Sequence, residues 1–124
     1  MLGTTNIVAF VPIKDAGKSR HFYELVLGLE FVKDDGVALV FRANGIMVRA
    51  AKMKGFTPAQ FTVLGWEVSN IEEMVRQLSA RGIHFEIFGF FKQDELGIWT
   101  APTGDKVAWF KDPDGNILSV SQHI

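Results

Sequence analysis

One pattern constrains this chain more than its composition does. A strand, a helix with an acid or amide cap, and three further strands are followed by the same series again. Ile7 to Ile13 is rich in Val, Ile and Phe and reads as a strand. Asp15 then reads as a helix N-cap, because its carboxylate can accept backbone N–H groups of the first turn. The helix is expected through Ser19, Phe22, Tyr23 and Val26, ending near Gly28. Leu29 to Val32, Val37 to Arg42 and Ile46 to Ala51 are the next strands, separated by Asp34-Asp35-Gly36 and Ala43-Asn44-Gly45 turns. The series then restarts. Phe61 to Val68 is a strand, and Asn70 is an N-cap with Glu73 three residues on. Ile71, Met74, Val75 and Leu78 form an apolar stripe, and Arg81-Gly82 ends the helix. Strands follow at His84 to Phe88, Lys106 to Lys111 and Ile117 to Ser121. The two caps lie 55 residues apart. Such a repeat predicts two related supersecondary units. The expected class is α+β: two βαβββ repeats forming curved antiparallel sheets around a concave cleft, with the helices on the outer face.

The expected organisation is a single domain over 1–124, with repeat one at about 5–51, a connector at 52–60 and repeat two at about 61–124. A chain of 124 residues can bury a real core, and 48% hydrophobic residues supply it. A net charge of −1 gives no broad footprint for nucleic acid or an anionic membrane. The absence of cysteine excludes disulfides and thiolate metal sites. No apolar run is long enough to cross a bilayer, and Met1 to Asn6 lacks a basic segment followed by an apolar one. The cytoplasm is the compartment expected by elimination. Eleven Phe and three Trp stand against one Tyr; some of these belong to the core, and whether all of them do is open from the sequence.

Three motifs, in order, carry a family resemblance. Val11-Pro12-Ile13-Lys14-Asp15 with Phe22-Tyr23-Glu24 and Leu27-Gly28-Leu29 is similar to the opening of a vicinal-oxygen-chelate protein. Glu67-Val68-Ser69-Asn70-Ile71 resembles the start of its second repeat, and Lys111-Asp112-Pro113-Asp114-Gly115-Asn116 resembles its closing hairpin. Nearly the whole chain therefore resembles the glyoxalase/bleomycin-resistance/extradiol-dioxygenase family. The resemblance implies fold more than reaction, because one fold hosts many chemistries. It also implies a homodimer. Metalloenzymes of the family hold a divalent ion with His, Glu or Gln from four strands. The matching positions here are Val8, Val48 or Arg49, Val63 and Ser119. Valine has no lone pair, serine is a poor ligand and arginine repels a cation. No metal and no other cofactor is expected.

Strand alternation suggests which side chains line the cleft. Val8, Phe10 and Pro12 are expected inward on the first strand, and Met47 and Arg49 on the fourth. Val63, Gly65 and Glu67 are expected inward on the fifth, and Val107, Trp109, Lys111, Ser119 and Ser121 on the last two. Phe10, Met47 and Trp109 then form walls, with Arg49, Glu67 and Ser119 as polar points. Arg49 and Glu67 either pair with each other or receive a ligand; a guanidinium suits a carboxylate or phosphate. The segment from Gly89 to about Gly104 is long for a loop. Its Trp99 and Glu95 either cover the cleft mouth or join a dimer interface.

Other motifs carry less. Asp112-Pro113-Asp114-Gly115 does not continue as a calcium loop, since Ile117 stands where glycine is needed and His123 where glutamate is. His21, among Lys18, Arg20 and Glu24, reads as a solvated helix residue. Ser119 and Ser121 share a strand face with His123, but no carboxylate is evident in the sequence to orient that histidine. Two functions remain. One is metal-independent binding of a small, partly aromatic molecule by Phe10, Met47, Arg49, Glu67, Trp99, Trp109 and Ser119. The other is a lyase or isomerase resembling glyoxalase, with Glu67 or Glu95 as general base and Arg49 stabilising an oxyanion.

Overall fold

The first repeat begins with β1 (Val8–Ile13), apolar at every position, whose pleat buries Val11 and Ile13 while Val8 and Phe10 stay exposed. The computed structural model describes residues 1–124, and a short 3-10 turn (Leu2–Thr4) precedes β1. Asp15 caps α1 (Ala16–Arg20), its Oδ1 accepting from Lys18 N at 3.0 Å. The helix then widens into a π-helical stretch, His21–Val26, in which Leu27 N donates to Phe22 O at 2.9 Å. A regular α-helix was expected here. The wider turn inserts the equivalent of one residue and breaks the 3.6-residue spacing. Tyr23 alone of this stretch is fully buried, Phe22 and Val26 are half-buried and Leu25 is in solvent. Gly28, at φ 80°, ends the helix. β2 (Glu30–Asp34), β3 (Ala38–Ala43) and β4 (Ile46–Lys52) follow as a meander.

The second repeat has β5 (Thr62–Glu67) and α2 (Ile71–Ala80), the latter capped by Asn70 Oδ1 accepting from Glu73 N at 3.2 Å. β6 (Trp99–Thr100), β7 (Lys106–Lys111) and β8 (Ile117–Gln122) complete it. The chain divides into two units, Met1–Thr57 and Pro58–Ile124, each with one four-stranded sheet. The strand orders are β1-β4-β3-β2 and β5-β8-β7-β6.

The class is α+β with two repeated halves, as expected, but the sheets are mixed rather than wholly antiparallel. β1 runs parallel to β4, and β5 runs parallel to β8. The reason is directional. In the first unit the helix returns the chain to the end where β1 began, so β2 runs along β1. Two hairpin reversals later β4 runs that way again, and a parallel neighbour across a helical crossover results.

Each sheet has a well-buried apolar face, and the strands β3 and β8 are buried on both faces. In the first unit Val11, Ile13, Leu39, Phe41, Val48 and Ala50 are buried, and the Tyr23 and Phe31 rings lie 5.7 and 5.6 Å from Phe41. In the second, Ile71, Val75 and Leu78 of α2 are buried, as are Ala108, Phe110, Leu118 and Val120 of the sheet. Trp66 stacks on Phe110 at 6.5 Å, and Phe85 meets it edge-on at 5.5 Å. Fully burying one such ring contributes about 1.5–3 kcal/mol.

The second strand of the second repeat is not where the residue pattern places it. His84 to Phe88 makes only a single bridge, Phe85 to Phe110, with Glu86 N donating to Trp109 O at 2.8 Å. Trp99 and Thr100 take the other end of the same edge, opposite Val107 and Lys106. The outer edge of β7 is thus shared by two short segments. Gln93 joins them. Its Oε1 accepts from Phe88 N at 2.7 Å, and its Nε2 donates to Glu86 O at 2.9 Å and Gly97 O at 2.8 Å. One amide side chain does here what a strand backbone would otherwise do.

Candidate functional site

Residues directly opposite each other on neighbouring strands point to the same face. In the second sheet this gives two adjacent rows: Gly65, Ser119 and Trp109, and then Glu67, Ser121, Val107 and Trp99. Gly65 allows the close approach of β5 and β8. A Cβ on it would stand 2.7 Å from Ser119 Oγ. Ser119 is itself buried, and its hydroxyl occupies the space that Gly65 leaves.

A β-bulge changes the β5 reading. The pairing passes from Thr62↔Ile117 to Leu64↔Leu118, so Thr62 and Val63 together face one partner residue. Thr62 consequently lies on the pocket side, where strict alternation had placed Val63 alone. Its Oγ1 accepts from Trp109 Nε1 at 3.1 Å, which fixes the indole plane.

Five aromatic rings gather on this face. Phe91 is parallel to Trp109, with centroids 5.0 Å apart and planes 7° apart, and lies 4.7 Å from Trp99. Trp99 and Trp109 are 6.2 Å apart, and Phe88 meets Trp109 edge-on at 5.5 Å. Phe90 extends the group through Phe88 and Phe91, at 5.8 and 4.6 Å. Beside them opens a pocket of about 280 Å³, with Phe61, Thr62, Phe88, Phe90, Phe91 and Trp109 among its walls. Phe90 is 80% and Phe61 68% exposed, an unusual condition for rings that surround a cavity. In the sequence Phe88 ended an expected strand, and Phe90 and Phe91 were visible only as part of a loop. The signal available was their density: four aromatics among residues 88–99.

The remaining residues singled out from sequence are distributed as follows. Phe10 pairs in register with Arg49, and Val8 with Met47, on one face of the first sheet. Phe10 is 61% exposed there. The Arg49 guanidinium binds Asp35 Oδ2 at 2.7 Å, because the β2–β3 turn presents that carboxylate beside β4. Asp35 Oδ1 also accepts from Val37 N and Ala38 N. Arg49 first, and then those two amides, hold Asp35 down to a pKa of about 2. Lys52 braces the same turn by holding both carboxylate oxygens of Asp34 at 2.9 Å. Glu95 is exposed in a turn that Asp94 closes by accepting from Leu96 N and Ile98 N. Glu67 is exposed, next to Ser121 in its row.

The donor set does not suit a metal ion. No three His, Cys, Asp or Glu residues come together in a group that could hold one. Ser119 has Gly65 and Trp109 as its cross-strand neighbours, neither of which offers a ligand. No helix is long and apolar enough to cross a membrane.

Fold and comparison agree on the class. The family model described as the Glyoxalase/Bleomycin resistance protein/Dioxygenase superfamily matches residues 5–120, and the chain belongs to that superfamily. Among solved structures it is similar to a bleomycin-binding protein complexed with bleomycin, at 23% identity and TM-score 0.75, covering 98% of this chain and 100% of that one. A superfamily member from Sphaerobacter thermophilus DSM 20745 is also 23% identical, covering 97% and 98%, with TM-score 0.75. Lactoylglutathione lyase from Agrobacterium tumefaciens is 18% identical, covering 96% and 93%, with TM-score 0.73. At these identities the likeness concerns the fold. No curated protein sequence matches the chain.

Proposed function

We propose that this protein binds a small, partly aromatic molecule against the Trp109 face of its second sheet, without a metal ion. The observation that carries this reading is the aromatic pocket. Its walls are almost wholly apolar, Thr62 supplies a polar point, and its volume of about 280 Å³ suits one or two planar rings. Ligand sites combine apolar area for affinity with a few polar groups for orientation. The structural neighbour that holds bleomycin supports a small-molecule ligand. Valine at two of the four family ligand positions supports independence from metal. Homodimerisation and residence in the cytoplasm belong to the same proposal; light scattering reads the former, and the exposed Phe10 supports it.

The test is a fluorescence titration of metal-stripped protein with bleomycin and a panel of planar aromatic compounds. Saturable quenching is expected, weakened about tenfold or more by Trp109→Ala, since lost ring stacking and area exceed 1.4 kcal/mol. A requirement for added nickel, zinc or manganese would overturn the proposal. So would identical quenching in the variant. The runner-up is a lyase or isomerase in which the exposed Glu67 or Glu95 is the base; turnover abolished by Glu67→Gln or by Glu95→Gln would favour it.

A further inference from the structure

The tail of the chain carries a constellation that the aromatic pocket does not use. Ser121 and His123 are two residues apart on one face of β8 and its extension. Ser121 Oγ lies 2.9 Å from His123 Nε2. On the other side of the imidazole, His123 Nδ1 faces Asp105 Oδ2 at 3.6 Å. The sheet explains why these three meet. β7 and β8 pair as Lys106↔Gln122, so the next antiparallel pair outward is Asp105 opposite His123. Val107 opposes Ser121 on the same face.

Asp105 is placed from several directions. Its Oδ1 accepts from Ile124 N at 3.0 Å, leaving Oδ2 for the histidine. Its carbonyl accepts from Ala101 N, and Gly104 N donates to Ala101 O in the same turn. Gly104 has φ 94°, and a Cβ there would come within 2.9 Å of Ile124 Cδ1, so glycine keeps the tail close to the turn. The Ile124 amide, and then Thr103 and His123, lower the Asp105 pKa, which keeps it ionised. An ionised carboxylate opposite Nδ1 favours the tautomer with the proton on Nδ1. Nε2 then has a lone pair directed at the Ser121 hydroxyl. The 3.6 Å separation is loose, as such contacts often are before substrate binds.

We propose that Ser121 is a nucleophile, with His123 as its general base and Asp105 as the residue that orients the imidazole, and that it accepts acyl groups from small activated esters. The sequence of bonds is complete with water as the only co-reactant. Ser121 Oγ attacks the ester carbonyl carbon, and its proton passes to His123 Nε2. The bond to the leaving oxygen breaks, and that oxygen takes the proton from Nε2. Water then attacks the acyl-serine, again giving a proton to Nε2, which returns to Ser121 Oγ as the acid departs. Aryl esters suit the surroundings. An aryloxide leaves readily, and Trp99 lies in the same row as Ser121, separated only by Val107. His123 is 49% and Asp105 31% exposed in their side chains, so an ester can approach from solvent.

Ser121, His123 and Asp105 are not among the walls of the aromatic pocket, so their chemistry does not depend on its occupancy. The test uses the full chain, with 4-nitrophenyl acetate as substrate and a fluorophosphonate as irreversible serine label. The expected result is one phosphonyl group per chain, mapped by peptide mass spectrometry to Ser121 and lost in His123→Gln. Release of 4-nitrophenolate should fall about tenfold or more in Ser121→Ala and in Asp105→Asn, a variant that can still accept from Ile124 N. Unchanged circular dichroism would show that the variants fold. Absence of label on Ser121, or an equal rate in Ser121→Ala with acetate found on histidine alone, would overturn the proposal.

Discussion

Replacing Gln93 with Ala removes three hydrogen bonds at once, to Phe88 N, Glu86 O and Gly97 O. Each is worth about 0.5–1.5 kcal/mol net, and a half-buried group left without a partner costs more. Water can reach part of this site, so the expected loss is about 2–4 kcal/mol. That is a large share of the roughly 5–15 kcal/mol available to a domain of this size. The melting temperature should fall by about 10 °C. The loss should also be local. Gln93 ties together the segments that carry Phe88, Phe91 and Trp99, so near-ultraviolet circular dichroism and tryptophan emission should change even below the transition. Hydrogen exchange at Phe88 N–H should accelerate. Gln93→Glu is the sharper control. A carboxylate can still accept from Phe88 N but repels both carbonyls, so it should destabilise at neutral pH at least as much as alanine does. Protonating it restores one donor, and stability should recover as the pH falls. A melting shift under 2 °C in Gln93→Ala, with the Phe88 amide still protected, would refute the view that this amide joins the split edge.

Two further outcomes concern the sheets. Asp35 has a folded pKa of about 2 against its ordinary 3.8, so its contribution to stability is complete above that ordinary value and is lost as pH falls through about 2. Urea midpoints should therefore drop more steeply between pH 4 and pH 2 in the wild type than in Asp35→Asn, and equal slopes would count against the Arg49 contact. Gly65→Ala should cost about 1–3 kcal/mol from overpacking against Ser119. Ser119→Ala in the same chain should recover part of that, because it removes the Oγ at 2.7 Å; full additivity in urea denaturation would argue that the two do not meet.

Much of the architecture was legible in the residues because local chemistry and global fold agree. The caps Asp15 and Asn70 fall where their side chains do accept amide hydrogens. The apolar period of α2 matches its buried face. What was not legible depends on partners distant in the chain. The bulge that turns Thr62 toward Trp109 reflects its pairing with β8, and alternation alone cannot register it. His84 to Phe88 has strand-forming residues, yet its edge is shared with Trp99 and Thr100 through a glutamine that propensity treats as ordinary loop. Asp105 is a different case. Once the turn between β7 and β8 sets the register, counting outward places it opposite His123. The carboxylate was therefore recoverable from sequence, through pairing rather than through any motif.

The split edge of β7 has a consequence for how such a protein can change. The chain between Glu86 and Trp99 carries most of the rings around the pocket, but it enters and leaves the sheet through two short, separately hydrogen-bonded anchors. Residues between those anchors can be exchanged, lengthened or shortened while β5, β7 and β8 keep their pairing, because loops tolerate what strands do not. The fold thus separates inheritance of the scaffold from inheritance of ligand preference. A new specificity can arise from about a dozen contiguous residues, provided that the anchoring contacts of Gln93 and Asp94 are kept.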